Sequence, residues 1–473
     1  MSESSDGRVL FDVSTAMRWT GPPVGIVRAQ RELALWAHGN VPNVAFVFFD
    51  AERQAYCEVL GDVRRFLRGE AGLDTLGLTN PAAPGKRRTD RIPALLRPAL
   101  LWLGQPRRMA LKQLERIRLH TSRAWLARAA DKLQRAIMSR KYRAIMVRDD
   151  NTRRPFLPYE MAVGPRFPLR RNDILICAGS GWGHTNIEAL QDLRLREGVR
   201  MVLLCYDLIP LLWPQFYRKR DVDLFRSYMH RALATADRII VTSRRTHDDC
   251  RTYCAQHQIP VANILVAPLG FDVRIGSAPA AALPGDLKSG QFVLMVSTIE
   301  PRKGHRLLYR VWQRLVADGA VQANGFKLVF AGRLGWMVDE LLAEIRSATA
   351  VADRMRIITD ADDELLSALY AGAAFCVYPS AYEGYGLPVI EAFAHGKAML
   401  VSTGGALPEL VGDLSPCLDP TDEDAWYGAM KQWIECPQTR KPFEEAVQRR
   451  FRHPTWSEAA AIFFSQAIAG REP

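Results

Sequence analysis

The sequence lacks any apolar run of about 18 or more residues, so no segment has the length of a membrane-spanning helix. The first residues, MSESSDGRVLFDVS, are polar and acidic before the first apolar run, and they lack the basic and apolar regions of a secretory signal. We therefore expect that any contact with a membrane is peripheral.

The sequence also lacks paired cysteines. Its eight cysteines include no Cys-x-x-Cys pair and no cluster at zinc-ligand spacing; they lie at positions 57, 177, 205, 250, 254, 376, 417 and 436. Cys177, Cys205 and Cys376 lie inside apolar runs, where a free thiol behaves as a small hydrophobic side chain. This pattern favours a reducing cytoplasm.

Acidic residues are scarce in one segment, residues 86–148. It holds 18 Lys or Arg but only Asp90, Glu115 and Asp131, which gives it a charge of +15. Because the whole chain carries +12, the remainder carries 12 minus 15, or −3. The basic excess therefore belongs to this segment, here called the basic insert, and not to the whole protein.

With 473 residues, of which 48% are hydrophobic, the chain is too long for one core and rich enough in apolar side chains for two. Short apolar runs alternate with helix-period segments, as in parallel strands that helices cover on both faces. The predicted strands are residues 8–13, 44–49, 173–177, 201–205, 238–241, 264–267, 292–296, 327–330, 356–358, 375–378 and 398–401. The pattern predicts an α/β protein with two doubly wound, Rossmann-like domains.

The domain boundary is predicted where periodicity gives way to GSAPAAALPGDLKSG, residues 276–290. Residues 1–275 would form an N-terminal domain that carries the basic insert, and residues 291–452 a C-terminal domain. Residues 453–473 would form a helix that returns to the N-terminal domain; Thr455 and Ser457 are both candidates for its start.

The most informative stretch is residues 378–396, which contains EGYGLPVIE after a predicted strand. Pro388 suits the start of a helix. Backbone N–H groups of residues 386–389 would then face an anion such as a diphosphate at the carboxyl edge of the sheet. Glu383 and Glu391 flank this position and suit sugar hydroxyls better than phosphate. The alternative is a solvated loop acid and an ordinary early-helix acid.

These residues carry a resemblance to a family. EGYGLPVIE resembles the E-x7-E signature of retaining GT-B glycosyltransferases of family 4, including bacterial mannosyltransferases that build polysaccharides and O-antigen. Four further motifs are similar to that family in the same order: TIEPRKG at 298–304, AGRLGW at 331–336, residues 363–373, and STGGALPE at 402–409. The resemblance implies a GT-B fold with a cleft between its two domains. Residues 1–275 would form the acceptor-binding domain and residues 291–452 the nucleotide-sugar-binding domain.

The resemblance also implies site residues. Arg302 and Lys303 would neutralise the donor diphosphate and act in catalysis with Glu383 and Asp207. Other donor-binding residues implied are Thr298, Gly332, Arg333, Thr359, Tyr385, Gly386, Leu387 and Glu391. Unlike many relatives, this chain has no Arg near Thr298. The reaction implied needs no protein nucleophile, no cofactor and no metal; its donor substrate is a nucleotide-diphosphate sugar.

The N-terminal half would bind the acceptor. TGPPVGIVRAQREL at 20–33 resembles the family's opening loop and helix, which suggests Gly25 and Arg28 as acceptor contacts, although Pro22 and Pro23 interrupt the pattern.

YDLIP at 206–210 is similar to HDLIP, with Tyr206 replacing the usual histidine; Asp207 remains a candidate to orient a substrate. His184, in a glycine-rich loop, is a further acceptor candidate. A tight turn, a turn acid and a structural histidine are the alternatives.

Three other functions fit parts of the sequence. Asp221-Val-Asp223 and Asp360-Ala-Asp362 match the D-x-D pattern of a metal-dependent GT-A transferase. Paired carboxylates also occur in glycoside hydrolases, which have no use for Arg302 and Lys303. The basic insert suggests a nucleic-acid-binding protein, but it has few aromatic residues and no known recognition module.

The basic insert has a pattern of its own. From residue 107 to 137, apolar residues recur at three- and four-residue steps with Arg and Lys between them. This pattern favours an amphipathic helix on an anionic membrane surface, with a helix packed on the N-terminal domain as the alternative. The resemblance suggests GDP-mannose as donor, with another hexose or deoxyhexose donor as the alternative. It also suggests a saccharide or polyprenyl-linked acceptor at the inner face of the cell membrane.

Overall fold

The computed structural model describes residues 7–19, 25–60, 63, 67, 163–260, 263–272 and 282–469. The basic insert lies outside these residues. The chain divides into two compact units, Met1–Val199 and Arg200–Pro473. This division differs from the predicted one, and the predicted linker, of which residues 282–290 are described, stays a prediction.

In the first unit, a mixed sheet has the strand order β4-β3-β2-β1-β5. Its strands are β1 (Val9–Asp12), β2 (Ala45–Asp50), β3 (Ala55–Val59), β4 (Val163–Arg166) and β5 (Ile174–Cys177). Its helices are α1 (Ser14–Arg18), α2 (Ile26–Asn40) and α3 (Ile187–Glu197). β1 pairs in parallel with β2 and β5, whereas β3 pairs antiparallel with β2 and β4. Neither of the two antiparallel strands, β3 and the edge strand β4, was predicted from the sequence.

The second unit begins with three parallel strands in the order β6-β7-β8: β6 (Arg200–Cys205), β7 (Arg238–Val241) and β8 (Ile264–Val266). Helices α4 (Ile209–Leu212), α5 (Lys219–Thr235) and α6 (Arg244–Gln256) connect them. Ser243 caps α6, since its side chain accepts a hydrogen bond from the Thr246 N–H.

The same unit contains a six-stranded parallel sheet in the order β11-β10-β9-β12-β13-β14. Its strands are β9 (Phe292–Val296), β10 (Lys327–Ala331), β11 (Met355–Ile358), β12 (Phe375–Tyr378), β13 (Met399–Ser402) and β14 (Cys417–Leu418). The connecting helices are α7 (His305–Ala317), α8 (Ala320–Asn324), α9 (Asp339–Ser347), α10 (Thr349–Ala352), α11 (Asp363–Gly372), α12 (Leu387–Ala394), α13 (Leu407–Val411), α14 (Glu423–Glu435) and α15 (Lys441–Arg450).

Both faces of this sheet are buried. Val293 and Met295 of β9 pack into one apolar cluster, with Trp312 and Trp426, while Phe292 and Leu294 pack into another on the opposite face. Burial on both faces explains the continuous apolar runs from which the strands were predicted.

The last helix, α16 (Trp456–Ile468), begins at a capping box between Thr455 and Glu458, so Thr455 and not Ser457 is its cap. It packs on β7 and β8: the Gln466 side chain donates to the Val266 carbonyl at 3.0 Å, and Arg238 donates to the Ala469 carbonyl at 2.8 Å. This helix therefore contacts strands that precede the predicted linker, and its predicted return to an N-terminal domain of residues 1–275 stays a prediction.

Candidate functional site

A buried ion cluster surrounds Glu383. One carboxylate oxygen of Glu383 lies 2.6 Å from Lys303 Nζ, and the other lies 3.0 Å from a guanidinium nitrogen of Arg302. Only 7% of Glu383 and 8% of Arg302 are exposed. Burial by itself would raise the pKa of Glu383, but Arg302 and Lys303 outweigh it and lower that pKa to about 2. Glu383 is therefore ionised over the whole physiological range.

The two cations are held by the turn that follows β9. Residues Pro301–Lys303 form one 3-10 turn, which ends at Gly304 with a φ of 81°. A Cβ at Gly304 would lie 2.4 Å from the Pro379 carbonyl oxygen, so glycine is needed for this turn to approach the loop after β12. Arg302 also pairs with Glu300 at 2.8 Å, and Lys303 donates to the Tyr378 hydroxyl at 3.0 Å.

Asp207 lies against the same loop. A Cβ at Gly384 would lie 2.6 Å from Asp207 Cβ and 2.4 Å from the Tyr206 carbonyl oxygen, so only glycine allows this approach. Burial raises the pKa of Asp207, and Arg302 acts against that rise. The structure thus brings Asp207, Arg302, Lys303 and Glu383 together, and their predicted catalytic roles stay predictions.

Residues that the sequence analysis missed hold the Glu383 loop in place. The Gly384 carbonyl accepts hydrogen bonds from the hydroxyls of Ser243 at 2.8 Å, Thr246 at 3.1 Å and Thr242 at 3.3 Å. Three hydroxyl donors on one buried carbonyl fix the peptide that follows Glu383. The sequence signal was the cap pattern Ser243-x-x-Thr246 after a strand, which indicates a helix start but gives no hint of its partner.

Further hydrogen bonds join α6 to the segments that follow β12 and β13. The Glu409 carboxylate accepts the backbone N–H groups of Arg244 at 2.9 Å and Arg245 at 3.1 Å, at the N-terminus of α6. The Tyr382 hydroxyl donates to Asp249 and accepts from Arg245 Nε at 2.6 Å. These contacts attach the loops after β12 and β13 to α6.

Four of the predicted donor-binding residues lie at the carboxyl ends of β9, β10 and β11. Thr298 and Thr359 are exposed and follow β9 and β11. Between them, Gly332 N–H donates to the Ile358 carbonyl at 2.8 Å, and the Arg333 carbonyl accepts from Ile299 N–H at 2.8 Å. The structure therefore places Thr298, Gly332, Arg333 and Thr359 along one edge.

The other predicted donor-binding residues lie around the start of α12, whose cap is Gly386. Pro388 has no N–H, and Val389 N–H donates to the Gly386 carbonyl at 3.0 Å. Within the predicted anion-binding segment 386–389, the N–H groups of Gly386 and Leu387 can therefore face a ligand. Glu391 accepts from the Tyr370 hydroxyl at 2.9 Å, and the Tyr385 hydroxyl donates to the Leu269 carbonyl at 3.1 Å.

The predicted acceptor residues belong to the first unit. Gly25 is exposed, with a φ of 51°, and Arg28 lies on the first turn of α2. His184 contacts the hydroxyls of Thr15 at 2.9 Å and Thr185 at 3.1 Å through its two ring nitrogens. Burial lowers the pKa of His184 to about 4, so its imidazole is neutral at physiological pH.

A second buried carboxylate, Asp12, was also missed. It lies at the end of β1, is 5% exposed, and accepts the backbone N–H of Ser14 at 2.8 Å and the Tyr56 hydroxyl at 3.2 Å. Burial raises the pKa of Asp12, against the effect of its hydrogen bonds to Ser14.

Both D-x-D patterns have other structural roles. Asp223 lies on α5 and pairs with Lys219 at 2.7 Å, and Asp362 caps α11 by accepting the Leu365 N–H at 2.8 Å. Within the ranges the structure describes, no group of three or more His, Cys, Asp or Glu side chains is arranged to hold a metal ion. The predicted absence of a metal requirement stays a prediction.

Comparison with solved structures shows the fold. The crystal structure of Anabaena Alr3699/HepE in complex with UDP and glucose is similar with a TM-score of 0.55 over 97% of this chain and 98% of that chain, at 14% identity. The fold is GT-B. The GT-A alternative is therefore wrong, in agreement with the structural roles of Asp223 and Asp362.

Sequence comparisons agree with the GT-B fold. Residues 285–450 match the family model described as Glycosyl transferases group 1. The chain is 30% identical over 231 residues to the O-antigen chain mannosyltransferase B of Escherichia coli, covering 48% of this chain and 59% of that protein. It is 26% identical over 242 residues to the serotype-specific mannosyltransferase WbdA of Escherichia coli, covering 49% and 28%.

The chain thus spans little more than half of one of these relatives and about a quarter of the other. Glu383, Arg302 and Lys303 all lie inside the matched domain. None of the helices in the described ranges is long and apolar enough to cross a membrane.

Proposed function

We propose that this protein is a retaining glycosyltransferase that moves a hexosyl unit from a nucleotide-diphosphate sugar to a saccharide or lipid-linked saccharide. The observation that carries the proposal is the buried ion cluster of Glu383, Arg302 and Lys303 within a domain that matches group 1 glycosyltransferases. An ionised carboxylate and two cations in one dry site suit a reaction in which a sugar gains positive charge while its leaving group gains negative charge.

In this proposal each charged group has one task. Glu383, kept ionised by its two cations, accepts hydrogen bonds from the transferred sugar and stabilises positive charge at its anomeric carbon. Arg302 and Lys303 stabilise the departing diphosphate, with the N–H groups at the start of α12 as further donors. Thr298, Gly332, Arg333 and Thr359 bind the nucleotide, and Glu391 its ribose.

The charges of the cluster also indicate how the site would compensate the negative charge of a bound diphosphate. Two cations face three carboxylates, those of Asp207, Glu300 and Glu383. Burial raises the pKa of both Asp207 and Glu300, so these two groups are the ones that take up a proton most readily. A proton on either one would free cationic charge for the phosphate oxygens.

The donor proposed is GDP-mannose, because both Escherichia coli relatives are mannosyltransferases. The acceptor proposed is the growing end of a bacterial surface polysaccharide or O-antigen, free or polyprenyl-linked, with Gly25, Arg28 and His184 on the acceptor side. We further propose that the basic insert attaches the enzyme to the anionic inner face of the cell membrane, and that transfer needs no metal.

The experiment that tests this function is a donor screen with the purified full-length chain. Nucleotide release is measured for GDP-mannose, other GDP- and UDP-hexoses and dTDP-hexoses, with and without saccharide acceptors. Acceptor-dependent release of GDP from GDP-mannose, and an α-linked product by NMR, is the expected result. Release of free sugar alone would indicate a hydrolase, and a β-linked product would overturn retention.

A further inference from the structure

A row of aromatic side chains lies beside the ion cluster. We call it the aromatic wall; its members are Trp213, Phe216, Tyr217, Trp336 and Tyr382. The ring of Tyr217 lies 5.4 Å from that of Trp336, Trp213 stacks on Phe216 at 6.1 Å, and Trp213 lies 5.8 Å from Tyr382. Four members are half-buried and Tyr382 is buried, so the wall combines packed and accessible aromatic surface.

The backbone places this wall next to the charged groups. Tyr382 directly precedes Glu383. At the other end, Gly335, which precedes Trp336, donates its N–H to the Ile299 carbonyl at 2.9 Å, and a Cβ at Gly335 would lie 3.3 Å from Glu300 Cβ. The Trp336 and Tyr217 pair therefore lies beside Glu300, the carboxylate that pairs with Arg302.

The electrostatics of Tyr217 agree with this placement. Burial raises the pKa of its phenol, and the Arg302 guanidinium acts against that rise. The carboxylates of Asp207, Glu300 and Glu383 raise it further. The charged groups of the ion cluster therefore interact electrostatically with the Tyr217 phenol.

The Tyr217 hydroxyl differs from the other polar groups nearby in having no hydrogen-bond partner among the described residues. Trp336 Nε1 donates to the Phe216 carbonyl at 2.8 Å, the Tyr382 hydroxyl donates to Asp249, and the Tyr378 hydroxyl accepts from Lys303. A half-buried phenol is usually paired, so this group is available for a ligand.

We propose that Tyr217 is a sugar-contacting residue: its hydroxyl hydrogen-bonds a hexose hydroxyl, while Trp336 and the Tyr217 ring pack against the apolar face of the same hexose. This inference rests on the proposed function and deepens it. The hexose is either the transferred sugar of the donor or the terminal sugar of the acceptor, and both present the same chemistry to an aromatic wall.

The test is the substitution Tyr217→Phe in the full-length protein. Phenylalanine keeps the ring that packs on Trp336 and removes only a hydroxyl with no partner in the described part of the chain. We therefore expect an unchanged melting temperature and a kcat/KM about ten-fold lower, as for the loss of one hydrogen bond to substrate. Trp336→Phe should raise KM for the same substrate.

The matched control is Tyr253→Phe. Tyr253 is a buried tyrosine on α6 whose ring packs on His257, and its hydroxyl also has no hydrogen-bond partner in the ranges described. Loss of the Tyr253 hydroxyl should change neither kcat/KM nor the melting temperature, because this hydroxyl does not face the ion cluster.

Two kinetic measurements distinguish the transferred sugar of the donor from the terminal sugar of the acceptor. A higher KM for the donor and slower donor hydrolysis without acceptor assign Tyr217 to the transferred sugar. A higher KM for the acceptor alone, with unchanged hydrolysis, assigns it to the acceptor.

Kinetics of Tyr217→Phe equal to those of the wild type would overturn the inference and leave the proposed function intact. Loss of activity together with a lower melting temperature would also overturn it, because the hydroxyl would then be structural. A wild-type enzyme that turns over no nucleotide sugar would overturn the proposed function and the inference together.

Discussion

Asp12 in the first unit and Glu383 in the second are both buried carboxylates at the carboxyl side of a parallel strand, but their partners differ. Asp12 accepts hydrogen bonds from neutral groups, the Ser14 backbone and hydroxyl and the Tyr56 phenol. Glu383 is paired with two cations. As a result, burial raises the pKa of Asp12, whereas Arg302 and Lys303 outweigh burial and lower that of Glu383.

The difference teaches that burial alone does not mark a chemical site. Neutral donors around Asp12 tie β1 to α1 and β3, which is a structural task. Cations around Glu383 keep a full negative charge in a place of low dielectric, where it acts strongly on any charge that develops nearby. The four predictions that follow test this contrast.

The largest effect is expected from Glu383→Gln. The substitution keeps the shape of the side chain but removes a carboxylate that pairs with both Arg302 and Lys303. Arg302 keeps its ion pair with Glu300. We expect the transfer rate to fall by about 10²- to 10³-fold and the free energy of unfolding to fall by about 3–5 kcal/mol.

The matched substitution is Asp12→Asn, which should change the unfolding free energy far less, because neutral partners can hydrogen-bond an amide as well. Initial rates and denaturant melts of both variants measure this. Equal losses of stability in the two variants would contradict the contrast.

The second prediction concerns pH. Since the pKa of Glu383 is lowered from 4.5 to about 2 on folding, its contribution to stability is present above pH 4.5 and is lost as pH falls towards 2. The pKa of Asp12 is raised above 3.8 on folding, so its effect on stability has the opposite sign. The free energy of unfolding falls as pH rises from 3.8 through the pKa that Asp12 has in the folded protein. Melting temperatures from pH 3 to 6 should therefore depend on pH less steeply in Glu383→Gln than in the wild type and more steeply in Asp12→Asn.

A smaller effect is expected from Ser243→Ala, which removes the shortest hydroxyl contact to the Gly384 carbonyl. Thr246 and Thr242 remain, so kcat should fall about ten-fold or less. Because Ser243 also caps α6, the free energy of unfolding should fall by about 1 kcal/mol. Ser465→Ala, on the exposed side of α16, is the control and should leave kcat unchanged. Equal kcat values for the two variants would show that the Glu383 loop does not depend on these hydroxyls.

The smallest effect is expected from the D-x-D residues. Asp221→Asn and Asp360→Asn should leave transfer rates unchanged, and so should EDTA, because neither pattern belongs to the ion cluster. A rate that EDTA abolishes and Mg²⁺ or Mn²⁺ restores would contradict the proposed metal-independent reaction.

Much of the fold was readable from the sequence. Strands buried on both faces, such as Phe292–Val296, produce continuous apolar runs that need no partner to be recognised. Val163–Arg166 was missed because its partner strand, Ala55–Val59, lies more than 100 residues away in the sequence. Ala55–Val59 also pairs with the nearby Ala45–Asp50, but its five residues do not alternate between apolar and polar side chains. Cys417–Leu418 was missed because two residues carry no periodicity.

For the site, the charged residues can be read from the sequence, and the family resemblance implied that Arg302, Lys303, Glu383 and Asp207 act in one site. How they meet follows only from the tertiary structure. Two cations share Glu383, three hydroxyls contact the Gly384 carbonyl, and the Tyr217 hydroxyl beside them has no hydrogen-bond partner among the residues that the structure describes. The physical reason is that motifs record which residues occur at the ends of strands. Hydrogen bonds, burial and the pKa values that follow from them depend on groups from distant segments, such as Ser243 and Trp336, which no local pattern links to Glu383.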